Sequence, residues 1–391
     1  MIRSILDNDL YKFTMQQAVC RLYSGALAEY ELTNRGGTPF PGGFVREVRE
    51  RVDAMAGLAL SPGQKCWLAE ICPFFTPDYL DFLSAYRFDP AEVSLAQEDE
   101  RISVTVKGTW ARTILWEVPL MALISETYFD MTAPEIHSRQ EIRETNRSKA
   151  RRLADQGVSF VDFGTRRRFS SANHRHLVSD ILDLPGHTLA GTSNVHLAQE
   201  FNIPPIGTLA HEWIMFHSAL DGYAAANASA MRAWLSVYPD VLGIALSDTY
   251  TTAAFLDVFT PDLARRFTGV RQDSGDPCAF VETFIRYYRD AGIDPADKTI
   301  VFSDGLDPER AVLIHRFCRG RVKDAYGIGT NLTNDVGTLP LNIVIKLSRC
   351  RPGKDRGWQS TVKLSDDPGK HTGDKAELKR CTAAFGIKGK N

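Results

Sequence analysis

"VSFVDFGTRRR", residues 158–168, is a β-branched run that stops at glycine, threonine and three arginines. Six more runs downstream share its form: "HTLAGTSN" (187–194), "PPIGTLAH" (204–211), "VLGIALSD" (241–248), "RFTGVRQD" (266–273), "KTIVFSDG" (298–305) and "KDAYGIGT" (323–330). Helix-like stretches such as "ANHRHLVSDILDL", "TAAFLDVF" and "AFVETFIRYYRDAG" lie between most of them. Strand alternating with helix predicts parallel strands joined by crossover helices. If the strands curl into a barrel, their C-terminal ends gather at one rim, where such barrels keep their active sites. The endings are Arg166 to Arg168, Ser193 with Asn194, His211, Asp248, Arg271 with Asp273, Asp304, and Gly329 with Thr330. One or two polar strand ends are ordinary. Seven endings carrying Arg, His, Asp or Gly-Thr predict an enzyme site.

Upstream, residues 1–125 read as a mixed α/β region. "DLYKFTMQQAVCRLY" spaces its apolar residues as a helix does, "RISVTVKG" alternates as a strand, and "PLMALISETYF" is a buried helix. The expected division is an N-terminal α/β domain (1–125), a barrel (126–345) and a C-terminal segment (346–391) packing back on the first. The tail beyond residue 350 is rich in Gly, Lys and Asp and predicts loops with a short strand or two.

Composition sets the outer limits. At 391 residues, 43% apolar and 24% charged, the chain has the make-up of a globular protein with two domains. A net charge of -2 offers no footprint for nucleic acid or an acidic membrane. The longest apolar run is too short to span a bilayer, and the first residues lack a secretory h-region. Seven cysteines without a C-x-x-C pair favour reduced thiols and a cytoplasmic setting.

The chemistry of the rim points to phosphate. "GTRRR", "GTSN", "GTLAH" and "GIGT" are Gly-Thr turns, whose bare backbone amides approach phosphate oxygens while threonine adds a hydroxyl. Arginine adds bidentate forks. In "RQDSGDP" the carboxylates of Asp273 and Asp276 suit Mg²⁺, although Asp276 reads better as the N-cap of the helix that follows. Asp248 and Asp304 have capping readings as well. His211-Glu212 is not half of a zinc helix, because Met215 stands where the second histidine is needed. Glu212 either orients the His211 ring or faces solvent.

With "LDNDLYKFTM", "FGTRRR", "GTSNV", "GTLAHEW", "LSDTY", "GVRQDSGDP", "FSDGLD", "YGIGTNLTND" and "KLSDDPGK" in order, the chain resembles the bacterial nicotinate phosphoribosyltransferase family, of the type II phosphoribosyltransferases. That resemblance implies an irregular α/β barrel joined to an N-terminal α/β domain completed by C-terminal segments, working as a homodimer. It implies transfer of phosphoribosyl from 5-phosphoribosyl 1-pyrophosphate to nicotinate, with ATP as co-substrate and Mg²⁺ as cofactor. His211 is then the phosphate carrier. Phe163 and Arg271 sandwich the pyridine ring, with Tyr11, Ser193 and Thr208 beside it. Asp9, Arg166, Asp248, Asp304, Gly305, Gly329 and Thr330 hold the ribose phosphate and pyrophosphate, and Asp273 acts in catalysis and holds Mg²⁺. Asp9 and Tyr11 are expected to reach across the dimer interface.

Two alternatives stay open. A sister enzyme that uses nicotinamide carries an aspartate in place of Ser193, where a carboxylate repels nicotinate. A non-catalytic barrel that binds a phosphorylated metabolite has no need of both His211 and the "RQDSGD" segment.

Overall fold

The computed structural model describes residues 2–387. In chain order its strands are β1 (Leu27–Asn34), β2 (Val93–Glu98), β3 (Arg101–Thr109), β4 (Phe160–Asp162), β5 (Leu189–Thr192), β6 (Ile244–Leu246), β7 (Gly269–Gln272), β8 (Thr299–Phe302), β9 (Lys323–Ile328), β10 (Ile343–Arg351) and β11 (Gln359–Ser360). They form two sheets.

The first sheet is antiparallel, in the order β11-β10-β1-β3-β2. Its central strand β1 pairs on one side with β10, from Leu27 opposite Arg351 to Asn34 opposite Ile343. Ile343, Ile345 and Leu347 recur every second residue and are all buried, so one register puts them in the core. The C-terminal part of the chain therefore completes the N-terminal sheet, as expected. The tail also carries an unexpected helix, Lys375–Ala384, started by Asp374 accepting from the Ala376 and Glu377 amides at 2.9 and 3.0 Å. Its one fully buried residue, Cys381, leaves little apolar periodicity to read.

The second sheet is parallel, in the order β5-β4-β9-β8-β7-β6. Helices Ser171–Leu182, Pro277–Asp290 and Pro308–Cys318 make the crossovers. Asp276 caps the second of them, accepting from the Ala279 amide at 2.7 Å, and Phe280, Val281, Phe284, Ile285 and Tyr288 form its buried stripe.

Six runs become strands; the seventh does not. "PPIGTLAH" touches β5 through one bridge, Thr192 with Pro205. Pro204 and Pro205 have no amide to donate, so a ladder cannot propagate along that edge. Gly191 permits the close approach, since a Cβ there meets the Pro204 carbonyl oxygen at 2.2 Å. The barrel is irregular because β5 and β6 are not paired with each other.

Helix Leu10–Leu22 joins the two parts. Lys12, Gln16 and Gln17 on it are as buried as Phe13 and Met15. Gln16 donates to the Ala111 carbonyl at 2.7 Å and Gln17 to the Tyr238 hydroxyl at 2.8 Å, meeting the requirement that buried polar groups be paired. Beside it, Trp110 stacks on Phe216 with ring centres 4.1 Å apart. His217 completes this cluster, its Nδ1 2.7 Å from the Trp213 carbonyl and its Nε2 2.9 Å from the Tyr23 hydroxyl. Burial pushes the His217 ring down to about 4, so it stays neutral.

That burial sets a pH dependence. With the folded pKa below the unfolded value, the unfolded chain binds more protons between about pH 6.5 and 4, and stability rises with pH there. We expect His217 to contribute a loss of about 2 kcal/mol on acidification from pH 7 to 5. Thermal denaturation at the two pH values, for wild type and His217→Gln, checks this. The variant starts less stable and loses less; an equal loss in both removes His217 as the cause.

Candidate active site

A cavity of about 460 Å³ opens at the C-terminal ends of the parallel strands. Its lining includes Asp9, Tyr11, Phe163, Arg166, Ser193 and Thr208, and with them His211, Arg271, Asp273, Gly305, Gly329 and Thr330. These are residues expected from the sequence, brought together from segments more than three hundred positions apart.

His211 opens the helix His211–Asp221 and is 4% exposed. Its Nδ1 lies 2.9 Å from the Thr249 hydroxyl. Its Nε2 lies 3.0 Å from Asp273 Oδ2 and 2.8 Å from the Lys363 ammonium. Thr249 is fully buried, whereas Asp273 is on the cavity wall, so Nε2 is the nitrogen on the cavity side. Burial first, then the Lys363 charge, push the imidazole down to about 4 against the pull of Asp248 and Asp273. The ring is neutral at pH 7. If Nδ1 carries the proton and donates to Thr249, the Nε2 lone pair is left to accept from Lys363.

Asp273 is an ion at neutral pH. Burial opposes its charge, but the Arg271 and Lys363 cations hold the carboxyl well below the usual range. Ser303 donates to its other oxygen at 2.7 Å. Asp248 is sealed beneath His211, off the cavity wall, accepting from Ser274 at 2.6 Å. Asp304 is also off the wall and is bound by Lys370.

His211, Asp248 and Asp273 have ligand-type atoms within 4.8 Å of one another, a grouping that suits a cation. Lys363 Nζ already stands there, 3.4 Å from Asp248 and 3.8 Å from Asp273. Arg271 lies 3.6 Å from the same Asp273 oxygen. With two side-chain cations on it, the Asp273 carboxylate does not fit the role of a protein ligand for Mg²⁺, which favours uncompensated oxygens.

Arg271 is held in place by its Nη1, which donates to the Thr208 hydroxyl and, at 3.0 Å, to the Leu209 carbonyl. Phe163 packs over Gly327, where a Cβ comes within 2.3 Å of its ring. Ser193 donates to Asp9 Oδ1 at 2.8 Å, and burial pushes the Asp9 carboxyl up. The Leu10 amide donates to the Ser193 carbonyl at 2.8 Å. Asp9 and Tyr11 thus sit in the cavity of their own chain, which corrects the expectation that they reach a partner's. The cause is the docking of helix Leu10–Leu22 on its own barrel.

Glu212 has neither of its expected roles. It is buried and turned away from the His211 ring, with its Oε1 2.8 Å from the Lys12 ammonium. Lys346, Lys363 and Lys370 at the site were not singled out from the sequence. The last two lie in "KLSDDPGK", a segment quoted for the resemblance but left without a role. Burial, with Arg166 and Lys363 nearby, pushes Lys346 down to about 8 although Glu117 opposes this.

Among the described residues no helix is long and apolar enough to cross a membrane. All seven cysteines are free thiols. A family model described as the nicotinate phosphoribosyltransferase N-terminal domain matches residues 6–125, and one described as the nicotinate phosphoribosyltransferase family matches 158–388. A nicotinate phosphoribosyltransferase of Desulforapulum autotrophicum is 55% identical over 381 residues, covering 97% of this chain and 98% of its own. One of Chromohalobacter salexigens is 50% identical, covering 96% of each. The crystal structure of nicotinate phosphoribosyltransferase from Porphyromonas gingivalis superimposes with a TM-score of 0.96 at 42% identity, covering 99% of this chain and 100% of the other. Matches of this length and identity, on both parts of the chain, leave one conclusion: it belongs to the nicotinate phosphoribosyltransferase family.

Proposed function

We propose that the chain transfers phosphoribosyl from 5-phosphoribosyl 1-pyrophosphate to the ring nitrogen of nicotinate, giving nicotinate mononucleotide and pyrophosphate for NAD salvage, with ATP hydrolysis coupled through His211. The observation that carries this reading is a neutral imidazole on the wall of a cavity that also presents Arg166, Arg167, Arg271 and Lys346. Such a wall suits polyanionic substrates and a phosphoryl acceptor together.

In the transfer, the bond from C1 of ribose to the pyrophosphate oxygen breaks, and the pyridine nitrogen forms the new bond to C1. Positive charge grows on the sugar and negative charge on the leaving group. Arg166 and Lys346 stabilise the pyrophosphate, and the Gly305 and Gly329-Thr330 turns hold the ribose 5-phosphate. Phe163 and Arg271 enclose the ring, a cation over an aromatic face. Nicotinate brings its own nucleophile, so no serine or cysteine nucleophile is needed. Mg²⁺ carried by the substrates' phosphates would offset charge on the pyrophosphate as it leaves, beside Arg166 and Lys346.

In the ATP half-reaction, the Nε2 lone pair attacks the γ-phosphorus and ADP leaves. Asp273 is beside the nitrogen to offset the imidazolium charge that forms. Water later takes the phosphoryl group from the ring. Lys363 is placed to move from the Nε2 lone pair to the new phosphate oxygens. A homodimer and a cytoplasmic location belong to the same proposal, supported by the family and by the free thiols.

Pyrophosphate release, measured with nicotinate and with nicotinamide, each with and without ATP, tests the assignment. We expect nicotinate to be strongly preferred and ATP to stimulate. A preference for nicotinamide overturns the substrate, and no release with either base overturns the reaction. With γ-labelled ATP and Mg²⁺, wild type takes up one acid-labile, base-stable phosphate. His211→Ala loses it, along with ATP stimulation, and keeps slow ATP-independent transfer; label that survives the substitution points to another acceptor.

Gly327→Ala tests the ring site separately, because the new methyl group displaces Phe163. We expect the KM for nicotinate to rise about tenfold with little change for phosphoribosyl pyrophosphate. Equal effects on both substrates place Phe163 away from the pyridine ring.

A further inference from the structure

Lys12 lies beneath the cavity, fully buried and off its wall. Its ammonium is 2.5 Å from Glu117 Oε2 and 2.8 Å from Glu212 Oε1. Near it are the rings of Tyr11 and Tyr30, with centres at 5.5 and 5.6 Å. The two carboxylates lead in different directions. Glu117 is on the cavity wall, its Oε1 3.5 Å from Arg166 Nη1. Glu212 follows His211 directly, in the first turn of the same helix.

We infer that Lys12 is a positioning residue for both halves of the reaction, holding Glu117 under Arg166 on one side and the first turn of the His211 helix on the other. The inference rests on the proposed function of the site, and no part of Lys12 itself touches the cavity. Two cations and two carboxylates alternate along the line Arg166, Glu117, Lys12, Glu212, so each buried charge faces an opposite one. Without Lys12, Glu117 draws Arg166 down toward itself and away from the substrate anion. Glu212 is then a buried carboxylate without its cation, and it must take a proton or turn toward another donor. Either change tilts the turn that aims His211 Nε2.

The line also divides its charge unevenly. Burial works against Glu117, yet Lys12, Lys346 and Arg166 bring its carboxyl down to about 2. At Glu212, burial outweighs Lys12 and the Glu117 charge adds to it, so its carboxyl is pushed up.

The test measures KM and kcat for each substrate, with and without ATP, in Lys12→Met, Glu117→Gln and the double variant, with thermal denaturation alongside. For Lys12→Met we expect the KM for phosphoribosyl pyrophosphate to rise about tenfold, nicotinate KM to change by less than about threefold, and ATP stimulation to fall. Because Lys12 acts on Arg166 through Glu117, the double variant should have the phosphoribosyl pyrophosphate KM of Glu117→Gln alone. Lower thermal stability with unchanged kinetic constants and ATP stimulation overturns the inference, as do strictly additive effects. If Lys12→Met does not fold, Lys12→Arg takes its place, since it keeps the charge while shifting both contacts. A smaller rise in the same KM supports the inference, and unchanged constants overturn it. Wild type that releases no pyrophosphate with nicotinate overturns the proposed function, and this inference with it. Wild type that does so, with variants that behave like it, overturns the inference alone.

Discussion

A helix buried along its length tolerates ionisable groups only where they stay neutral and hydrogen-bonded or meet an opposite charge. In this protein that helix is His211–Asp221, buried from His211 to Ala219. Its apolar faces pack into the aromatic cluster of Trp110, Phe216 and Tyr23. Its first turn carries His211 and Glu212, and a lysine from a distant part of the chain meets each. Lys12 comes from the N-terminal helix and Lys363 from the C-terminal segment. The two ends of the chain are thus tied to the same turn, and the cavity is built around it.

The irregular barrel follows from a related constraint. Proline at 204 and 205 stops the sheet at β5, and just beyond β5 the Ser193 carbonyl and the first amides of the helix Val195–Phe201 still need partners. The N-terminal segment supplies them: Leu10 donates to Ser193, Val195 to Asn8, and His196 to Leu6, at 2.8, 3.0 and 2.8 Å. Docking the segment there brings Asp9 and Tyr11 to the cavity wall.

Electrostatics separates two arrangements that look alike in outline. A histidine between two aspartates resembles a metal centre or a proton relay. Here Lys363 takes the position a metal ion needs, and burial together with that ammonium keeps the ring neutral. In the proposed ATP half-reaction, neutral imidazole is the form that attacks phosphorus, with the ammonium beside it to meet the charge that arrives. Asp248, off the wall and beneath the ring, belongs to the support of the histidine.

The sequence by itself determined the local features. β-Branched runs bounded by glycine, with helical patterns between them, marked the six parallel strands and their crossovers, because such local patterns depend on near neighbours in the chain. Strand-end residues such as Arg271 and Gly329 were legible for the same reason: a parallel strand's C-terminal end lies at the rim wherever the strand sits in the sheet. Asp276 as a helix cap was legible three residues from the amide it meets. Tertiary structure decided what depends on contacts between distant segments. Glu212 and Lys12 are 200 positions apart, and Lys363 and His211 are 152 apart. No pattern in either segment names its partner, because a charge pair leaves no periodicity. Folding alone decided that Asp9 and Tyr11 line the cavity of their own chain, and that Lys363 sits between the histidine and its aspartates.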